Sequence, residues 1–239
     1  MIEPRVYRAA FVPALLAVLL AMFSLESRPR PVPQGLAADV LFDGEQAADR
    51  ARQIAADHPD RAAGSPGDRA VAEQVVAAFE ASGFSVESQP FDHDGDGLVN
   101  VIGRRAGRTL DQIVVVAARD AAGVPDEAGS AADTAALMEL ARVFEGRPSR
   151  KSLVLASVDG STLGDLGVRR LLDEIDGPDL VDAVLVVSGL GAAPDEPPRI
   201  VPWSNDTTRA GIGLQRTAAE SLRQEGEPSP SPASPFGQL

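Results

Sequence analysis

Asp120 closes the run Gln112-Ile113-Val114-Val115-Val116-Ala117-Ala118-Arg119-Asp120, which reads as a buried strand carrying an acidic residue to its carboxyl end. In open α/β sheets that end is where ligands and chemistry are found. A second apolar run, Ser152–Ser157, leads into Val158-Asp159-Gly160-Ser161-Thr162-Leu163-Gly164, and the segment between the two strands contains the helical stretch Ala131–Arg142. Asp120, Asp133, Asp159 and Asp165 are therefore the side chains that this order could gather. Gathered carboxylates could hold a divalent metal ion or take a proton as general base. Asp133 is expected to stand apart from the others, as an exposed or capping carboxylate one helical turn away.

Composition narrows the chemistry further. The chain has no Cys, which removes disulfides and thiolate metal sites, and only two His, His58 and His93. His58 stands beside Pro59 as a helix end, and His93 lies in a loop. Asp92-His93-Asp94-Gly95-Asp96-Gly97 copies the first half of a calcium loop, but Gly103 stands where a bidentate Glu is needed, so a hairpin loop is expected. Gly189-Leu190-Gly191 follows a strand like a dinucleotide turn, yet Pro194, Pro197 and Pro198 deny it a helix. No Gly-x-Ser-x-Gly elbow supports a serine hydrolase. The net charge of −13 repels nucleic acid, so no nucleic-acid partner is expected.

Taken in order, these segments resemble the zinc aminopeptidases of the aminopeptidase Y type. That family's pattern is V-V-x-A-H-x-D-S, then G-A-D-D-N-A-S-G-x-A-x-L-L-E-L-A-R, then D-G-E-E-x-G-x-x-G. Arg61-Ala62-Ala63-Gly64-Ser65-Pro66-Gly67 and Asn100-Val101-Ile102-Gly103 are also similar to family segments, so the resemblance runs from about Asp60 to Arg216. It implies a pair of zinc ions that clamp the attacking water and the scissile carbonyl, with a Glu as base. The scaffold letters match and the metal letters do not. Matched to the family, the first His falls on Ala118, while the Asp that orients it survives as Asp120. The bridging Asp falls on Gly129, with Ser130 at its Asn neighbour. The base Glu falls on Ser161, the next ligand on Thr162 and a later ligand Asp on Ser188. A last His ligand would lie beyond Leu239, and the family's sheet is eight-stranded where about six strands can be counted here, so an incomplete domain is expected.

Two functions stay open on these residues. One is a catalytically inactive relative, with no catalytic, metal or cofactor residues, whose old cleft binds a peptide or another protein. The other is an active metal-dependent peptidase that holds zinc through displaced carboxylates.

The elements that must position these residues follow from periodicity. Asp43 can cap a helix ending near His58, and a second helix is expected over Asp68–Ser82, with Val71, Val75, Val76 and Phe79 on its apolar face and Gly83 as its stop. Phe84–Gln89 and Leu98–Arg104 alternate in polarity as half-exposed strands do. Ile113–Ala118, Leu153–Ala156 and Ala183–Val187 are continuously apolar and are expected to be parallel interior strands. Pro198–Pro202 suggests a short edge strand and Arg209–Gln224 a last helix. The expected fold is α/β, a three-layer sandwich with a mostly parallel mixed sheet, preceded by one transmembrane helix.

That helix is expected at Ala9–Leu25, seventeen residues without a charge, which would span about 26 Å. A cleaved signal peptide with small residues at Ala37-Ala38 is the competing reading, although Leu36 fits a cleavage site poorly. The division expected is an anchor over residues 1–30, a Pro-containing stalk over 31–42, the aminopeptidase-like domain over 43–225 and a Pro/Ser-rich tail over 226–239. The chain would then be single-pass, with the domain outside the cytoplasm.

Overall fold

A computed structural model describes residues 42–122, 124–191, 199–201 and 211–224. The expected anchor at Ala9–Leu25, the stalk as far as residue 41, the tail, and Pro198 and Pro202 at the ends of the expected edge strand lie outside the described residues. Among the described residues no helix is long and apolar enough to cross a membrane. The chain divides into two compact units, Leu36–Glu196 and a second made of Met1–Gly35 with Pro197–Leu239.

The first unit opens with α1 (Gly44–Asp57), whose Asp43 side chain accepts from the Gln46 amide at 2.9 Å. Ala47, Ala51, Ile54 and Ala55 are buried along one stripe of this helix. Ser65 caps α2 (Pro66–Ala81), with Pro66 in its first turn. The helix thus begins before Asp68, because the cap and the proline set its start. Val71, Val75 and Phe79 recur every fourth residue and are fully buried, and Gly83 ends the segment with a φ of +79°.

The hairpin that follows is formed by β1 (Ser85–His93) and β2 (Asp96–Arg105). Both strands run further than expected, because the turn is only Asp94-Gly95, with φ values of +54° and +92°. Such a tight turn keeps the ladder intact up to the His93–Asp96 pair. After it come β3 (Gln112–Ala118), a π-helical turn at Glu127–Ala131, α3 (Ala132–Val143) and β4 (Ser152–Val158). A 3₁₀ turn at Ser161–Leu163 leads to α4 (Leu166–Asp173) and then β5 (Val181–Val187). In the second unit, α5 spans Ile212–Gln224.

The sheet order is β1-β2-β4-β3-β5. Two of its ladders, β1–β2 and β2–β4, are antiparallel, and two, β4–β3 and β3–β5, are parallel. The fold is α/β with a mixed sheet between helices, and its ladders are evenly divided rather than mostly parallel. The hairpin accounts for the difference, since it brings β2 in opposed to all its neighbours. Side chains separate by strand alternation. Val115, Ala117, Leu153 and Leu155 join α1, α2 and α3 on one face, while Val114, Val116, Val154, Ala156 and Val158 join Leu171 of α4 on the other. Helices therefore cover both faces.

β5 corrects a second expectation. Its apolar sequence reads as interior, but it lies at the end of the strand order, with Val184, Leu185 and Val186 at 43%, 39% and 68% exposure. No strand among the described residues lies beyond it.

Phe79 sets a measurable scale for the core. It is fully buried, its ring centroid lies 6.0 Å from that of Phe84, and a Cβ added to Gly103 would come within 2.6 Å of its Cδ2. Phe79→Ala should lower the unfolding free energy by about 3–5 kcal/mol. Gly103→Ala should lower it by about 1–3 kcal/mol through overpacking. Urea denaturation followed by circular dichroism measures both.

Candidate functional site

The parallel pairing of β3 with β4 sets Ala118 opposite Val158, so the residues just past both strands are neighbours. Asp120 is buried there, and each of its oxygens accepts twice. Oδ1 takes the Ser161 amide at 2.9 Å and the Ser161 hydroxyl at 2.7 Å, and Oδ2 takes the Thr162 amide at 2.9 Å and the Thr162 hydroxyl at 2.6 Å. The carboxylate thus caps the 3₁₀ turn, satisfying amides that a helix start leaves without partners. In the family pattern this Asp orients a metal-binding His. Here its acceptor capacity goes to Ser161 and Thr162, the two residues that the sequence resemblance sets at the Glu-Glu positions.

The remaining matched positions are built around other contacts. Gly129 sits in the π-helical turn with φ −102° and ψ −114°. A Cβ added there would collide with the Asp126 carboxylate, which accepts from the Ser130 amide at 2.7 Å. The Ser130 hydroxyl accepts from Arg61 Nη2 at 3.0 Å. Arg61 is buried, and desolvation lowers its pKa against the pull of Asp126 and Asp68. The Ala118 carbonyl accepts from the Thr134 hydroxyl at 3.3 Å. Ser188 lies exposed just past β5.

Asp133 is buried rather than exposed, and it caps a loop instead of its own helix. Its oxygens accept from the Gly189 and Leu190 amides, each at 2.9 Å. Burial raises its pKa, and those two amide bonds act against the rise. The Gly189-Leu190-Gly191 turn is thereby fastened to α3, and the Gly191 amide donates to the Ala128 carbonyl at 3.0 Å. Asp165 stands in a left-handed conformation before α4 and makes no capping bond. His58 pairs with Gln74 at 3.0 Å at the end of α1, and His93 is 3.6 Å from Asp94 in the hairpin. Among the described residues no group of three or more His, Cys, Asp or Glu is placed to hold a metal ion.

A buried charge cluster, not anticipated from the sequence, lies directly beside Asp120. Arg119 donates through Nε and Nη2 to the two oxygens of Asp68 at 2.8 and 2.7 Å. Its Nη2 also donates to the Val99 carbonyl at 2.8 Å and stands 3.6 Å from Asp159 Oδ2. Asp159 in turn accepts from the amides of Gly160 at 2.7 Å, Val99 at 3.1 Å and Gly64 at 3.3 Å. All three side chains are fully buried. Burial pushes the Asp68 pKa up to about 7, against the opposing pull of Arg119. The available signal was an Arg closing an otherwise apolar strand, because a buried guanidinium requires a buried partner.

A cavity of about 540 Å³ opens between α1, the π-helical turn, α3 and the loop at Leu190. Phe42, Ala47, Ala51, Ala132, Ala136 and Leu190 give it an apolar lining.

No protein-family model matches the chain. No curated protein matches it either. Solved structures do share its fold. BSAP, a zinc aminopeptidase from Bacillus subtilis, superposes with a TM-score of 0.68 at 12% identity, over 76% of this chain and 78% of that one. An Acidobacteriales bacterium glutaminyl cyclase gives 0.63 at 19% identity, over 87% and 78%. For a leucine aminopeptidase precursor from Bacteroides thetaiotaomicron the TM-score is 0.55 at 17% identity, and the match spans 62% of each chain, less than two thirds of the relative's length. The chain therefore has the fold found in zinc aminopeptidases and glutaminyl cyclases.

The charge cluster predicts a pH dependence with a definite sign. Asp68 in the folded state holds its proton to about pH 7, whereas an ordinary Asp loses it near 3.8. Its contribution to stability is complete below the lower value and is lost as pH rises through the upper one. The loss is on the order of a few kcal/mol. Asp68→Asn should remove this slope, so wild type and variant should diverge in urea midpoints measured from about pH 4 to about pH 8.

Proposed function

We propose that the chain is a catalytically inactive relative of the zinc aminopeptidases, tethered to a membrane through Ala9–Leu25, whose domain outside the cytoplasm serves as a peptide- or protein-binding module. The observation that carries this reading is the fourfold engagement of the Asp120 carboxylate by Ser161 and Thr162. A zinc pair needs imidazole or carboxylate ligands. The matched positions carry Ala118, Gly129, Thr162 and Ser188, and the base position carries Ser161. These residues do not fit a di-zinc centre. The acids that could take over are engaged in other ways. Asp133 binds two loop amides, and Asp159 binds three amides beside Arg119. Using either as a ligand would break the contacts that hold the sheet ends together.

The binding half of the proposal rests on the apolar cavity, whose volume of about 540 Å³ suits apolar side chains of a peptide or a protein loop. The charge of −13 argues against a nucleic-acid partner.

The purified chain should contain no stoichiometric zinc. It should neither release an amino-terminal residue from aminoacyl substrates nor cyclise an amino-terminal glutaminyl peptide, the activities named by its structural neighbours. Loss of a general base alone typically removes about 10²–10⁴ in rate. Ala118→His should therefore restore nothing. Elemental analysis with chelator-sensitive hydrolysis is the check. One or two zinc ions per chain together with such hydrolysis would establish the active peptidase with displaced carboxylates instead.

The tether makes a separate expectation. A charge-free run that satisfies its backbone internally partitions into lipid, so deleting Met1–Pro33 should move the protein from the membrane fraction to the soluble fraction. Recovery of full-length-encoded protein from the medium, trimmed near Ala38, would establish a cleaved signal peptide.

A further inference from the structure

We infer that the amino ends of β3 and β4 form a lipid-facing surface, where Arg108, Arg147 and Arg150 bind the phosphates of anionic phospholipids and Leu110 enters the layer between them. The inference rests on the membrane tether proposed above and adds the face that the domain turns toward the bilayer. Residues 104–111, which lead into β3, and 144–151, which lead into β4, carry six basic residues against Asp111 and Glu145, in a chain whose net charge is −13. The two segments are fastened into one surface. The Arg108 and Thr109 amides donate to the Ser149 and Arg150 carbonyls at 3.1 and 2.9 Å, and Arg105 Nη2 donates to the Arg147 carbonyl at 3.0 Å. Gly107 permits this approach, because a Cβ there would collide with the Lys151 carbonyl.

The charge gathered here is only partly neutralised. Arg104 pairs with Glu87 and Asp176, and Lys151 pairs with Asp182. Among the described residues no ion pair takes Arg108, Arg147 or Arg150, and all three are exposed. A guanidinium matches a phosphate with two parallel hydrogen bonds. An acidic protein surface would offer carboxylates to the same groups, but Leu110 favours lipid. It is 75% exposed between Arg108 and the start of β3, and an apolar side chain set among cations suits the headgroup–acyl boundary of an anionic bilayer. The point where the chain enters the domain agrees. The Asp43 amide donates to Glu139 Oε1 at 2.9 Å, and Glu139 lies about one helical turn before the end of α3, where residues 144–151 begin. Asp120 and the Ser161–Leu163 turn lie past the other ends of these strands, about 20 Å away. Docking by the arginines therefore turns them away from the bilayer.

The chain contains no Cys, so a single introduced thiol can carry an environment-sensitive fluorophore. Labelled full-length Leu110→Cys is reconstituted from detergent into vesicles of phosphatidylcholine and phosphatidylglycerol with brominated acyl chains. The probe should lose most of its emission by quenching. Quenching should be absent in phosphatidylcholine vesicles with the same brominated chains, and in anionic vesicles at about 1 M salt, where the Debye length falls to about 3 Å. Adding Arg108→Glu and Arg150→Glu should abolish it, with circular dichroism melts confirming the fold. Leu163→Cys, at a position 45% exposed at the other end of the sheet, should stay unquenched throughout. Flotation of the vesicles separates this inference from the tether. An unquenched 110 probe on a chain that floats with both vesicle types overturns the lipid surface, leaves the tether standing and assigns the arginines to an acidic protein. A quenched 110 probe on a chain that floats only with anionic vesicles supports the surface and overturns the tether. Equal quenching at 110 and 163, an unquenched 110 probe on a chain that floats only with anionic vesicles, or flotation with neither type overturns the surface.

Discussion

The fold depends on one buried guanidinium. Taking Arg119, Asp68 and Asp159 out of water costs several kcal/mol per ion, and that cost is offset only when every lone pair and proton finds a partner. Arg119 binds Asp68 with two parallel bonds, the geometry in which a guanidinium and a carboxylate match best. Its remaining donors reach the carbonyls of Val99 and Ser157. Asp159 takes amides from the loop at Gly64, from β2 at Val99 and from its own turn at Gly160. Four separated stretches of chain are thereby fixed at one end of the sheet. With two acids around one base, one negative charge is left over, and burial raises the Asp68 pKa against the pull of Arg119.

This arrangement accounts for how the segments at one end of the sheet are held together. Arg61–Gly67 presents Gly64 to Asp159, and Asn100 receives the Asp159 amide at 3.1 Å while donating to the Gly167 carbonyl at 2.8 Å. The Asp159-Gly160 turn bends back onto both. These segments are held to one another by hydrogen bonds among their own residues. Ser161 and Thr162 differ from glutamates in one decisive way, since each supplies a hydroxyl donor where a glutamate would add a second anion beside Asp120. Two more carboxylates next to Asp120 would need a cation between them. Two hydroxyls close the site without one.

What the sequence revealed follows the range of the forces involved. The start of α1, a hairpin near Asp92–Gly97 and the apolar cores of β3 and β4 are set by a cap, turn chemistry and periodicity within a few residues, and they were legible, whereas the start of α2 lies at Pro66, two residues before the expected Asp68. Helices on both faces were legible too, because Ile113–Ala118 of β3 and Leu153–Ala156 of β4 are continuously apolar. Partners distant in the chain were not. Asp68 and Arg119 are 51 positions apart, and Asp133 reaches amides 56 and 57 positions away. Without those partners, Asp68 read as a helix start and Asp133 as a solvated acid. The edge position of β5 escaped for a related reason. A continuous apolar run reports that both faces are suited to burial, and it says nothing about whether a further strand lies alongside.

The same distance argument bears on how hard the chemistry would be to rebuild. The Gly129 position cannot accept a side chain while Asp126 occupies the adjacent space, and Asp126 is held there by the Ser130 amide. Ser130 in turn is bound by Arg61, whose backbone carbonyl accepts the Ala121 amide at 2.8 Å, next to Asp120. An Asp introduced at 129 would therefore disturb Asp126, Ser130 and Arg61 together, and through Arg61 the loop beside Asp120. Substitutions at such connected positions do not add. Gly129, Ser130, Ser161 and Thr162 thus lie among hydrogen-bonded neighbours that a substitution there would disturb. Introducing carboxylates or imidazoles at these positions would require changing them as a set.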